Sequence, residues 1–243
     1  MVARPRPAFY APAGGGRLAD AVTLLHPPYT LWNLSYFALG AAVAPHIYLN
    51  RLLWGLAAFA LAVGVAAHAL DELHGRPLHT HFSDTALRAM AVLSLLGAVA
   101  IGIGGVLTVS VWLLPLIVVG GLLVPAYNLE LLGGRFHSDQ WFALGWGAFP
   151  AFTGYFVNAL DVSAAGLLIA AGCMAMSVAQ RRLSSAAREL RRRTASLHGV
   201  RERTDGSSEQ LTVGMLLGPL DGALAVLSLT VPLLAAALLA ARL

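Results

Sequence analysis

Apolar residues along this chain fall in long runs, parted by short breaks that carry Arg, Asp, Gly or Pro. Runs of about 20 apolar residues match the length needed to cross the hydrocarbon core of a bilayer. The pattern predicts spans near 28–48, 52–73, 85–106, 109–128, 140–160, 162–181 and 213–241. The third and fourth are nearly continuous. They are divided around Gly104, Gly105 and Ser110, because one helix of about 44 residues would be roughly 66 Å long, twice the hydrocarbon thickness. Asp161 alone parts the fifth from the sixth. Residues 213–241 make one span, or two if the chain folds back at Gly218-Pro219. The expected fold is all-α, a polytopic transmembrane bundle of about seven spans. Residues 1–27 form a polar N-terminal segment, and 28–243 form one helical domain with a polar loop at about 182–211.

Composition narrows the class. Charged residues make up 12% of the 243 residues, half of the roughly 25% usual in soluble domains. Hydrophobic residues make up 58% and the mean hydropathy is +0.71. These values exclude a soluble enzyme, a disordered chain and a disulfide scaffold. Cys173 is the only cysteine, so no internal disulfide forms. All 16 basic residues are Arg, which excludes a lysine Schiff base and a Walker-type phosphate loop. Nothing in the chain points to nucleic acid. Arg4, Arg6 and Arg17 precede no short apolar core with a cleavage site, so no signal peptide is read.

Arginine placement orients the spans. The N-terminal segment and the second, fourth and sixth loops hold 14 of the 16 Arg, Arg51 and Arg242 being the exceptions. The expectation is a multi-pass protein of the cell membrane with a cytoplasmic N-terminus. The same end holds 11 of 12 acidic residues, all but Asp161, and 7 of 8 His, all but His46. Arginine bias explains none of those carboxylates and imidazoles, so the chemistry is expected at that end.

Three clusters stand out there. In the first, His68, Asp71, Glu72 and Arg76 follow at i, i+3, i+4 and i+8 where the second span closes, on one helix face. Imidazole and carboxylates together can hold a divalent metal or share a proton, and carboxylates at this depth are costly. The alternative is an ordinary wet helix end. His74, His79, His81 and Asp84 follow and read as solvated. The second cluster ends the fourth span with Tyr127, Asn128, Glu130, the Gly133-Gly134 stop and His137; Ser138 or Asp139 can cap the next helix. Glu130 and His137 are candidate proton acceptors. The third follows the sixth span: Gln180, Arg181, Ser184, Arg188 and Arg192. Its arginines read either as an anionic-lipid patch or as a phosphate clamp. Within the spans, Asn33, Trp146 and Tyr155 are among the polar and aromatic side chains available to a ligand.

In order, these pieces resemble the UbiA superfamily of intramembrane prenyltransferases. His26-Pro27-Pro28-Tyr29-Thr30-Leu31 resembles that family's entry to its first span. Ala66-Ala67-His68 with acids a turn later resembles its first aspartate-rich motif, and Gly75-Arg76-Pro77-Leu78 the Arg-Pro-Leu that follows. Tyr127 to Tyr155, with Gly145-Trp146-Gly147-Ala148-Phe149-Pro150 and Gly154-Tyr155, resembles its fourth loop and fifth span. The similarity is diffuse and covers about 25–215. It implies a helical bundle with a lipid-open lateral cavity. It also implies a polyprenyl diphosphate bound through Mg²⁺, and prenyl transfer or cyclisation. Two departures are plain. The first motif's one-turn steps carry His68, Glu72 and Arg76, with Asp71 alongside; the second motif's place holds Gln180, Ser184 and Arg188, without aspartate.

Carried onto this chain, the resemblance implies a metal, Mg²⁺ or another divalent ion, at His68, Asp71 and Glu72. Asp71, Glu72, Glu130 and His137 would act in catalysis. Asn33, Arg76, Tyr127, Asn128, Tyr155, Arg181 and Arg188 would bind substrate. The partners expected are an isoprenoid diphosphate and membrane lipid. Two other classes stay open: a membrane metalloenzyme with a His/carboxylate centre, and a non-catalytic lipid-binding or partner protein.

Overall fold

The structure is a computed structural model that describes residues 8–12 and 16–243. Arg4 and Arg6, which enter the orientation argument, lie outside the described residues. The chain is 76% helical with little sheet. Its principal helices are α1 (Arg17–Leu25), α2 (Pro27–Val43), α3 (Leu49–Leu73), α4 (Asp84–Thr108), α5 (Val111–Asn128), α6 (139–159), α7 (Ala164–Arg193) and α8 (Val213–Ala240). Among the described residues, five of these (α3, α4, α5, α7 and α8) are long and apolar enough to cross a membrane. In the most apolar stretch of α4 only 6% is buried by protein, so the stretch needs lipid around it.

The breaks follow local chemistry. The long apolar stretch ends its first helix at Thr108, and the Ser110 hydroxyl accepts from the Trp112 N–H to start the next. Ser163 caps α7 after Leu160 turns left-handed, φ 52°. Helix α8 runs unbroken through Pro219 and Pro232, so there is no fold-back at Gly218-Pro219. Helix α7 extends to Arg193, three turns beyond the expected end of its span, so the polar loop begins only after it. That loop holds a small antiparallel hairpin, β1 (Val200–Glu202) with β2 (Ser208–Gln210). The Asp205 carboxylate accepts from the Ser207 N–H at 2.8 Å, and Gly206 takes φ +83° to close its turn.

Helices α2 and α6 cross at backbone contact. A Cβ on Gly40 would lie 1.9 Å from the Ala151 carbonyl oxygen, and one on Gly154 would lie 2.0 Å from that of Phe37. Trp32 and Tyr36 on α2 are fully buried against α7 and α8, with the Trp32 Nε1–H donating to the Tyr36 hydroxyl at 2.6 Å. The two arginines that break the one-ended charge pattern are used on carbonyls at the far end. Arg242 donates to Ala42, Ala44 and Pro45, and Arg51 donates to Val157. Guanidinium groups there satisfy carbonyls that a helix terminus leaves bare.

The crossing of α2 and α6 admits no side chain. Gly154→Val is expected to destabilise the purified protein by at least about 1–3 kcal/mol, read as a lowered melting temperature in detergent. Unchanged melting would contradict this packing.

Candidate functional site

Residues 8–10, the α1–α2 junction, the ends of α3, α5 and α7 and the start of α6 meet at one end of the bundle. They enclose a polar cavity of about 540 Å³. A second cavity of about 560 Å³ lies among α3, α4, α5 and α6, lined by apolar side chains such as Phe59, Val99, Ile117, Leu123 and Phe149. Trp146 lines both. At its other edge the apolar cavity is bounded by Trp54, 64% exposed on the outer surface.

Three helix segments with π-helical hydrogen bonding frame these cavities: Ala60–Ala67 leads into His68, Leu144–Ala148 carries Trp146, and Glu189–Arg193 closes α7. Such turns are uncommon and favour functional sites. Each adds a residue to its turn and so rotates the faces that follow.

Guanidinium groups dominate the polar cavity. Five arginines (181, 188, 191, 192 and 193) line it against three carboxylates, Asp71, Glu130 and Glu189. Arg181 pairs with Asp139 at 2.8 Å, Arg191 with Asp221, and Arg193 with Glu189 at 3.7 Å. Among the described residues Arg188 has no carboxylate partner; its hydrogen bond is to the Ser185 hydroxyl at 2.9 Å. Gln180, Ser184, Arg188 and Arg192 follow at steps of four, so α7 presents one polar stripe to the cavity.

The cavity wall also holds buried polar atoms with no partner. They are the Tyr10 and Tyr127 hydroxyl oxygens, His26 Nε2, Asn33 Oδ1 and Gln180 Oε1. Asn33, Tyr127 and Gln180 are 4%, 4% and 3% exposed. Each such atom costs about 1–3 kcal/mol when unsatisfied, and five in one wall point to a ligand that satisfies them.

The imidazoles are distinct. His26 sits in the left-handed region, φ 46°, between α1 and α2, its ring 4.4 Å from that of His68. Burial first, then His68 and the guanidinium groups of Arg192 and Arg188, push the His26 pKa well below its ordinary value, so it is neutral at pH 7. The Thr30 hydroxyl donates its one proton to the Leu25 carbonyl at 2.7 Å. His68 Nε2, 3.2 Å from the Thr30 Oγ1, is therefore the donor to that hydroxyl, and its Nδ1 keeps a lone pair. His137 has the other arrangement. Its Nδ1–H donates to the Tyr127 carbonyl at 3.0 Å, leaving Nε2 as the basic nitrogen, 3.8 Å from Glu130 Oε1. Tyr127 stacks on His137 at 4.6 Å and meets Trp146 at 4.5 Å, so an aromatic wall runs from the polar cavity to the apolar one.

Of the residues expected from sequence, His68, Asp71, Glu130, His137, Asn33, Tyr127, Asn128, Arg181 and Arg188 all line this cavity. Three do not. Glu72 is fully buried and accepts from the Leu78 N–H at 2.9 Å, the Thr80 N–H at 2.8 Å and the Thr80 hydroxyl at 2.9 Å. Adjacent residues on a helix point about 100° apart, and the carboxylate one step past Asp71 faces the loop instead. Arg76, past the helix end, donates to the Phe82 carbonyl and to Asp84. Tyr155 packs at the other end of α6, bonded to Ser163 at 2.6 Å.

Of the expected metal set, His68 and Asp71 face the cavity while Glu72 is committed to the loop, and among the described residues no group of three His, Cys, Asp or Glu side chains is placed to hold a metal ion. His74 also lines the cavity, half-exposed near Glu130, whereas His81 lies outside it and bonds Asp20 of α1 at 2.9 Å. Sequence reasoning missed Tyr10 and His26 as lining groups. Gln180 was legible as the first member of the four-residue stripe. The placement of Tyr10, in a segment read only as polar, was not.

No protein-family model matches the chain, and no curated protein or solved structure is significantly similar to it.

Glu72 holds the loop and not a ligand. Glu72→Ala is expected to lower stability by about 1–3 kcal/mol, because it leaves donors at 78 and 80 unsatisfied. Affinity for an anionic lipid in the protein that remains folded is expected to stay within about threefold, a loss under 1 kcal/mol. Full stability with abolished binding would contradict this role.

Proposed function

We propose that this chain is a divergent UbiA-like membrane enzyme that acts on an isoprenoid diphosphate, with its site at the cytoplasmic face of about seven spans. One observation carries the reading: an arginine-rich cavity and an apolar cavity adjoin at a single aromatic residue, Trp146. A long apolar tail ending in a compact polyanion matches that pair. Each cavity falls within the roughly 300–1,000 Å³ usual for ligand sites.

The chemistry follows from the charges. Breaking the allylic C–O bond sends its electron pair to the diphosphate, and Arg188 with its neighbours neutralises the charge that develops there. The allylic cation left behind lies against the ring faces of Trp146 and Tyr127, which attract positive charge. An acceptor nucleophile, or a double bond of the same chain, then forms the new bond to carbon. The proton released passes to His137 Nε2, whose Nδ1–H is fixed by the Tyr127 carbonyl, or to the adjacent Glu130. The absence of a carboxylate where Gln180, Ser184 and Arg188 stand favours a second reading, a lipid-binding protein without turnover.

The two readings part in one assay. Purified protein in lipid nanodiscs is incubated with geranylgeranyl diphosphate and total membrane lipid, and diphosphate release and prenylated products are measured by mass spectrometry. Turnover is expected, with a loss of about 10²-fold or more on Arg188→Gln, as for removal of one charge-stabilising donor. Tight binding without product would establish the lipid-binding reading; neither binding nor product would refute both.

A further inference from the structure

The polar cavity holds a set of groups suited to an oxyanion, and its carboxylates are poorly placed for a cation. Arg188 lacks a carboxylate partner among the described residues. The Tyr10 and Tyr127 hydroxyls and His26 Nε2 are buried without partners, as are the amide oxygens of Asn33 and Gln180, whose amides would present N–H groups if turned over. Hydroxyl, amide and imidazole can each turn an N–H or O–H toward an oxygen ligand. Arginine adds a planar fork that fits phosphate oxygens bidentately.

Asp71 is the deepest free carboxylate, and it makes no hydrogen bond or ion pair among the described residues. It lines the cavity together with Arg188, Arg192 and His137. Magnesium ions at phosphate sites usually rest on one or two carboxylates plus the phosphate. A divalent cation at Asp71 would have to enter among these guanidinium groups, with the neighbouring carboxylate of Glu72 bonded to the loop. The position a second carboxylate motif would occupy presents Gln180, Ser184 and Arg188 to the same space.

We propose that this cavity grips the diphosphate head of its lipid directly, through Arg188, Arg192 and the unpartnered donors around them, with no divalent cation bridging protein and phosphate. The inference rests on the diphosphate reading above and deepens it. In this arrangement Asp71 is the anion's competitor. It neutralises the arginines while the cavity lacks a ligand, and it repels the diphosphate when one enters. A cation-bridged site assigns Asp71 the opposite sign, because there the carboxylate holds the metal that holds the phosphate.

The test is a binding measurement on the full-length protein in detergent, using geranylgeranyl S-thiolodiphosphate to prevent turnover. Affinity is measured in excess EDTA and in millimolar Mg²⁺, for the wild type and for Asp71→Asn, Arg188→Gln and Arg188→Lys. Circular dichroism and melting confirm that each variant is folded. Direct binding predicts affinities within about threefold in the two buffers. It predicts a severalfold tighter complex for Asp71→Asn, a loss of about tenfold or more for Arg188→Gln, and an intermediate loss for Arg188→Lys, which keeps the charge but not the fork. Binding that requires Mg²⁺ and disappears in Asp71→Asn would overturn the inference and leave the diphosphate reading standing. No binding in either buffer would overturn both.

Discussion

A patch of positive charge and unsatisfied polar atoms, held inside a helical bundle, is the constraint around which this structure is organised. Left empty, such a patch is expensive: each orphaned donor or acceptor forfeits its hydrogen bonds to water, and guanidinium groups lose hydration. The fold concentrates most of that expense in one place. Arg181, Arg191 and Arg193 are offset by carboxylates, Arg51 and Arg242 by carbonyls at the far end, and Glu72 by loop donors. Beside Arg188, five of the buried polar atoms without partners belong to side chains that line a single cavity.

The bundle explains how that cavity meets an apolar one. Helices α2 and α6 touch through Gly40 and Gly154, which brings Asn33 and Trp146 close to the same space. Helices α4 and α5 stand away from the tightest part of the core, and the space among them and α3 and α6 is apolar. The aromatic wall of Tyr127, His137, Phe142 and Trp146 runs between the two environments. A ligand with one charged end and one greasy end meets suitable surroundings on both sides of Trp146.

Much of this was legible in the sequence. The runs of apolar residues located every long helix, because hydrophobic length is a strong signal and the breaks at Ser110 and Ser163 are chemically marked. The one-ended distribution of His, Asp and Glu located the polar cavity, and the clusters at 68–71, 127–137 and 180–188 converge there. Side-chain direction was harder. Periodicity put His68, Asp71 and Glu72 on one face, but a 100° step separates the two carboxylates, and hydrogen bonds from Leu78 and Thr80 decide where the second one points. Arg76 was read as an extension of the helix, yet the chain leaves the helix before it and its φ is +54°. The π-helical segments carry no sequence signature that the apolar pattern would reveal. The approach of Tyr10 to His26 depends on tertiary packing of the N-terminal segment.

The central claim is that one lipid spans both cavities, head among the arginines and tail beyond Trp146. Photo-crosslinking with an isoprenoid diphosphate that carries a diazirine at its tail end tests this most directly, with labelled residues mapped by peptide mass spectrometry. Labelling concentrated on Ile117, Leu123 and Phe149, and suppressed by unlabelled geranylgeranyl diphosphate, is the predicted result. Labelling spread over the outer faces of α4 and α8 and indifferent to competitor would contradict the account.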